Sequence, residues 1–204
     1  MNVASHTPST NPIGRAITWL VGRWWFWVLA VAILFAQPLV RTFLRPPPHA
    51  PPVGAGLPDF HLVRETGEPF DPRTVSGRVW VATFVKPGAP DADATLEAVF
   101  ALQKRLRNMG DAVRLVTLPS DDPAPPPATM AGLSRAHHAN ARVWLFATGD
   151  AMDVARLRAA FGAPSGPSST RLWLVDSRGY LRGSYERDHL DPLVEDLSLL
   201  ANAQ

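Results

Sequence analysis

Three short runs, RVWVATFV (residues 78–85), AVRLVTL (112–118) and RVWLFAT (142–148), decide most of what this chain can fold into. The first is apolar at nearly every position and rich in β-branched and aromatic side chains. That is the pattern of a strand buried on both faces, which needs a covering layer on each side. The segments between the runs supply such layers. After the first run, Leu96, Val99, Phe100 and Leu106 fall on one helical face. SDDPAPPPAT (120–129) is a proline-rich loop leading into a helix near 128–138. DAMDVARLRAAFG (150–162) reads as a helix with Asp150 as N-cap and Gly162 just past its end. TRLWLVDSRGYLRGSYE (170–186) is a strand hairpin turning at Ser177-Arg178-Gly179, and DHLDPLVEDLSLLANA (188–203) is a closing amphipathic helix. Ahead of the first run, PDFHLVRETGEPFDPRTVSG (58–77) alternates around Thr66-Gly67 as a hairpin. The order hairpin, β, α, β, α, β, α, β-hairpin, α implies an α/β fold with a central mixed sheet, and it fits a thioredoxin-like domain with an N-terminal extension and an extra helix.

The N-terminal quarter has a different character. WWFWVLAVAILFAQPLV (24–40) carries no charge and is flanked by Arg23 and Arg41. Its length is at the short end of a membrane span, and Trp19, Trp24, Trp25 and Trp27 cluster where an interfacial aromatic belt would lie. Leu34 and Ala36 make a poor small-residue cleavage site, so a retained signal anchor over 24–43 is the expectation, preceded by a short cytoplasmic N-terminus, 1–23. The large domain that follows favours a single-pass protein with that domain outside the cytoplasm. RPPPHAPPVGAGLP (45–58) reads as a spacer, stiff where proline dominates and loose where glycine does. The linker is set at 44–56 and the domain at 57–204. The formal charge of +2 is unevenly placed: residues 1–45 carry four arginines and no acid, and the rest carries 16 basic and 18 acidic residues. No basic face suited to nucleic acid emerges.

The chain has no cysteine, which excludes disulfides, thiol redox chemistry and thiolate metal sites. The histidines are His6, His49, His61, His137, His138 and His189. Neighbouring His137 and His138 point about 100° apart on a helix and lack a third ligand. His189, beside Asp188 and Asp191, reads as a solvated helix start, and His61 as an exposed hairpin residue. Ser165, Ser168 and Ser169 lie in a loop without an adjacent base, and Asp121-Asp122 before proline reads as a turn. Neither GDAVRLV nor TGDAMDV has the glycine spacing of a phosphate loop. No constellation amounts to an active site, and the chain is read as a non-enzyme.

The stretches LPDFHLVRETGEPFDPRTVSGRVWVATFV, RLRNMGDAVRLVTLPSDDP, WLFATGD and RLWLVDSRGYLRGSY, in that order and spacing, resemble the Sco/SenC family. These are membrane-anchored, thioredoxin-like proteins that help deliver copper to cytochrome c oxidase. The resemblance runs from Leu57 to the C-terminus. It implies copper held by two cysteines on the turn after the first core strand and by a histidine before the late strand. Laid along this sequence those positions fall on Pro87, Asp91 and Ser168, or Ser169 if the loop shifts by one. All three ligands are missing, so this is a divergent member for which no cofactor is expected. A carboxylate and a hydroxyl do not select Cu(I) as thiolates do. Asp91, with Asp93, is expected to cap the following helix.

The resemblance therefore implies a copper-free protein that assists a respiratory cytochrome c oxidase through protein contacts. The partner would be an oxidase subunit or assembly factor. The expected surface is the 86–92 turn with the 120–127 and 163–169 loops, centred on Lys86, Pro87, Asp91 and Ser168. Two alternatives stand beside it. One is a copper chaperone using His137, His138, His189 or a methionine. The other is a permanent structural subunit held by its anchor helix.

Overall fold

The computed structural model describes residues 24, 25, 27, 28, 31, 32, 51–121 and 123–203. The chain divides into two compact units, Met1–Pro47 and Pro48–Gln204. In the first unit Trp24, Trp25, Trp27, Val28, Val31 and Ala32 are helical. The rest of the expected anchor, with the N-terminus before it and the linker up to residue 50, lies outside the described residues. Among the described residues no helix is long and apolar enough to cross a membrane.

The second unit is a seven-stranded mixed sheet with helices on both faces. The strands are β1 (Leu62–Arg64), β2 (Pro69–Phe70), β3 (Val79–Val85), β4 (Val113–Pro119), β5 (Trp144–Gly149), β6 (Arg171–Val175) and β7 (Leu181–Glu186). Their spatial order is β2-β1-β5-β4-β3-β6-β7. The central strands β3, β4 and β5 run parallel, as the alternating helices require, while β1 against β5 and β6 against β3 are antiparallel. The helices are α1 (Pro72–Val75), α2 (Ala92–Arg105), α3 (Pro127–Ala136), α4 (Ala151–Phe161) and α5 (Leu190–Asn202), with a 3₁₀ stretch over Leu106–Ala112. All seven residues of β3 are buried, and the pleat divides them. Val79, Val81 and Val85 meet Leu96, Val99 and Leu102 of α2 and Leu193 and Leu197 of α5. Trp80, Ala82 and Phe84 meet Val154, Leu157 and Phe161 of α4. The near-continuous apolar run is thus two interleaved sets, each serving its own core.

The first hairpin forms at the expected turn, with Gly67 at φ 89° and its N–H donated to the Arg64 carbonyl. The sequence reading missed α1. Asp71 and Thr74 close a reciprocal capping box there, each side chain taking the other's backbone N–H at 3.1 and 3.2 Å. At α4 both expected caps form: the Asp150 carboxylate accepts the Met152 N–H, and Gly162 takes the left-handed conformation at φ 64°.

The linker reading needs revision over its described part. Residues 51–57 lie along the outer side of β7. Gly54 donates to the Leu181 carbonyl at 2.7 Å, Leu181 donates to Ala55 at 3.0 Å, and Leu57 donates to Gly179 at 3.0 Å. Arg182 fastens the start of this strap by donating twice to the Pro51 carbonyl, at 3.0 and 2.6 Å, and it is held by Asp176 at 3.1 Å. Glycine at 54 is required by proximity: a Cβ there would stand 2.6 Å from the Leu181 oxygen.

Candidate functional site

The parallel strands β3 and β4 end side by side, so the turn after β3 and the loop after β4 emerge together. A third loop, ahead of β6, is tied to both. The Lys86 N–H donates to Ser168 Oγ at 2.9 Å, and the Ser169 N–H donates to the Phe84 carbonyl at 2.8 Å. Ser120 Oγ donates to the Gly166 carbonyl at 3.0 Å, and Arg158 of α4 donates to the Ser120 carbonyl at 3.0 Å. Lys86 Nζ stands 3.2 Å from Asp121 Oδ1. Thr148 Oγ1 holds the proline loop by donating to the Pro125 carbonyl. The three loops expected to converge do so, at the C-terminal end of the parallel strands.

Pro87, Asp91 and Ser168 are brought to this one end. Ser168 reaches the turn at the residue before Pro87. Asp91 is linked to the third loop through Thr95, whose hydroxyl lies 3.1 Å from the Asp91 carbonyl and 2.9 Å from the Ser169 carbonyl. Arg187, just past β7, completes this brace by donating to Thr95 Oγ1 at 2.7 Å and to the Asp91 carbonyl at 3.2 Å. The two serines differ in partner: Ser168 Oγ accepts the Lys86 N–H of the β3 turn, while Ser169 Oγ accepts the Arg171 N–H. Sequence reasoning missed Asp121, Thr95 and Arg187. In the sequence the first carries only the signal of a turn residue. Thr95 carried one signal, a β-branched polar residue on an otherwise apolar helical face.

Two expectations fail here. Asp91 is the N-cap residue of α2 by position but makes no side-chain capping bond. Its φ of −92° and ψ of −9° are helical, not the extended geometry that swings a carboxylate over the first turn. The turn hydrogen bonds from Ala89 to Lys86 and from Ala92 to Ala89 already curl the chain before the helix begins. Asp93 does not cap either; its carboxylate meets His137 Nε2 at 3.3 Å.

Chemically this end has little to offer a soft metal. Proline has no donor, Asp91 supplies hard oxygen, and the buried Ser168 hydroxyl already accepts a backbone N–H. The residues present do not fit copper. Elsewhere, among the described residues, no group of three or more His, Asp or Glu side chains is placed to hold a metal ion. His137 lies with Asp93, and His138 packs near the Phe100 ring at 6.4 Å.

No family model and no curated protein matches the chain. Solved structures do. A SCO1/SenC family lipoprotein from Bacillus anthracis superposes with a TM-score of 0.65 at 20% identity, over 72% of this chain and 95% of that one. BsSco, a member of the Sco family of cytochrome c oxidase assembly proteins, gives 0.65 at 17%, over 75% and 97%. The fold is that of the Sco/SenC proteins. Copper-bound ScoI from Bradyrhizobium japonicum shares it at a TM-score of 0.59 and 16% identity, over 74% of this chain and all of that one. The likeness therefore spans the globular unit and nearly the whole of each Sco structure.

Proposed function

We propose that this chain is a divergent Sco/SenC-type protein that has given up copper ligation and acts by contact. In this reading it is a non-enzyme, tethered by its N-terminal segment with the globular unit on the extracytoplasmic side of a membrane. There it assists assembly or stability of a respiratory cytochrome c oxidase. The observation that carries the reading is the state of the three ligand positions. The loops still converge and are still braced, yet the positions hold Pro87, Asp91 and a Ser168 whose hydroxyl is committed to the backbone. A scaffold that keeps its architecture without donors retains only shape and charge to offer a partner. The Lys86–Asp121 pair, exposed at the lysine and half-buried at the aspartate, suits that role, since a surface ion pair contributes only about 0–1 kcal/mol and exchanges readily for a partner's charge.

The test has two arms. Titrated with Cu(I) against a competing chelator, the chain should show no stoichiometric binding, whereas Pro87→Cys/Asp91→Cys/Ser168→His should take up one ion. Co-purification with the oxidase from membranes should fall in Lys86→Glu/Asp91→Lys. Stoichiometric copper on the unaltered chain, or oxidase association untouched by charge reversal, refutes the proposal.

A further inference from the structure

At the opposite end of the sheet, where the parallel strands begin, an open cavity of about 430 Å³ is lined by four arginines. Arg64 comes from the end of β1, Arg78 from the residue before β3, Arg114 from the start of β4, and Arg142 from the loop before β5. The globular unit as a whole has more acids than bases, so a concentration of cations here is contrary to its composition.

Among the described residues Asp111 is the acid that lines the cavity, and Glu65 and Glu68 lie beside Arg64. Asp111 pairs with Arg114 at 3.1 Å, and Glu68 pairs with Arg64 at 2.6 Å. Glu65 lies 3.9 Å from Arg64, and its Oε2 accepts the Phe146 N–H. Arg78 has no carboxylate partner among the described residues; it donates to the Asp111 and Thr74 carbonyls at 3.1 and 3.3 Å. The Arg142 side chain has neither a hydrogen bond nor an ion pair among the described residues. Two guanidinium charges thus stand uncompensated beside two that are largely buried, Arg64 at 16% and Arg114 at 12% side-chain exposure. The Arg64 Nε–H and the Glu65 Oε1 beside it are both buried without a hydrogen-bond partner among the described residues, so that pair of atoms is closed off from the cavity. Like charges gathered at one place repel one another, and water at an open cavity screens that only in part. A bound oxyanion would relieve that repulsion.

We propose that this cavity is a binding site for a phosphate-type oxyanion. The four arginines come from separate elements at one end of the sheet, and Arg78 and Arg142 keep charge that no carboxylate among the described residues neutralises. Guanidinium forks match phosphate oxygens in spacing and carry charge-assisted hydrogen bonds. The source of the phosphate is either a free anion or a lipid headgroup. This site is independent of the loop end, and its failure would leave the contact proposal untouched.

The experiment uses the globular unit, which carries both apolar cores of the sheet. Arginine Nε–Hε resonances are followed by NMR while inorganic phosphate is titrated at constant ionic strength set with chloride. Saturable shifts at Arg78 and Arg142 are expected, with affinity at least ten-fold weaker in Arg142→Gln and lost in Arg78→Gln/Arg142→Gln. Arg142 is exposed, so the single variant keeps the fold, which an unchanged urea midpoint confirms. Sedimentation with phosphatidylglycerol against phosphatidylcholine vesicles identifies the source. Binding to the first alone, reduced in Arg142→Gln, points to a headgroup; phosphate binding without it points to a soluble anion. Shifts that do not saturate, or saturation unchanged in Arg142→Gln, together with no Arg142-sensitive vesicle binding, overturn the proposal.

Discussion

Replacing Thr95 by valine tests whether the loop end is a braced platform. The side chain is fully buried on α2, and valine preserves its shape. What changes is one oxygen. It accepts from Arg187 Nη1 at 2.7 Å and stands 2.9 Å from the Ser169 carbonyl, to which it donates. A hydrogen bond to a charged group contributes roughly 1.5–3 kcal/mol and a neutral one about 1 kcal/mol. Arg187 keeps the Asp91 carbonyl at 3.2 Å, which offsets part of the loss. The net expectation is a destabilisation of about 2–3 kcal/mol by urea denaturation of the globular unit. At this size that lowers Tm by roughly 4–12 °C. Thr95→Ser keeps the oxygen and deletes one buried methyl, so it should cost only about 0.8 kcal/mol. A double-mutant cycle with Arg187→Met should show coupling of at least about 1 kcal/mol, because the two residues share a bond. If Thr95→Val lies within about 0.5 kcal/mol of the parent, or Thr95→Ser is as damaging as valine, the brace carries no energy and the reasoning is wrong.

Two further outcomes follow from polar groups set into or against the core. Thr83, in the middle of β3, is 1% exposed, and its hydroxyl has no partner among the described residues. Thr83→Val should therefore raise stability by about 1 kcal/mol, measured by the same denaturation, with loss of stability as the contrary result. Tyr185 has its pKa pushed up by burial and by the hydrogen bond it donates to Asp196. Because the folded value exceeds the unfolded one, the stability it contributes is whole below about pH 10 and is lost as pH rises through the folded value. Tm measured from pH 8 to 12 should fall less steeply in Tyr185→Phe, and an identical slope would contradict the assignment.

The sheet was readable because its signal is a physical necessity. A strand covered on both faces must be apolar at consecutive positions, and β3 is. The caps of α4 were readable because Asp150 and Gly162 act through local geometry alone. Asp71-Pro72 with Thr74 held a comparable signal for α1, lost inside a longer alternating stretch. Asp91 misled because residue type does not fix φ and ψ, and the turn before it had already committed the backbone. Asp121, Arg187 and the four arginines of the cavity belong to places assembled by long-range packing. Arg78 and Arg142 are 64 positions apart in sequence, and no spacing rule links them. The strap of 51–57 was invisible for another reason: its bonds are between backbones, which any sequence without obstruction can make.

That strap closes one stretch of the sheet's margin to other proteins. Edge strands with free N–H and C=O rows are templates for pairing with a foreign chain. Here β2 has two residues and begins with Pro69, which lacks an N–H, and the outer row of β7 near Leu181 is already filled by Gly54 and Ala55. Neither margin invites strand addition there. Over the stretch the strap covers, any docking protein would meet side chains and loop shapes instead of open backbone, so selectivity there would reside in residues that can vary without disturbing the scaffold beneath them.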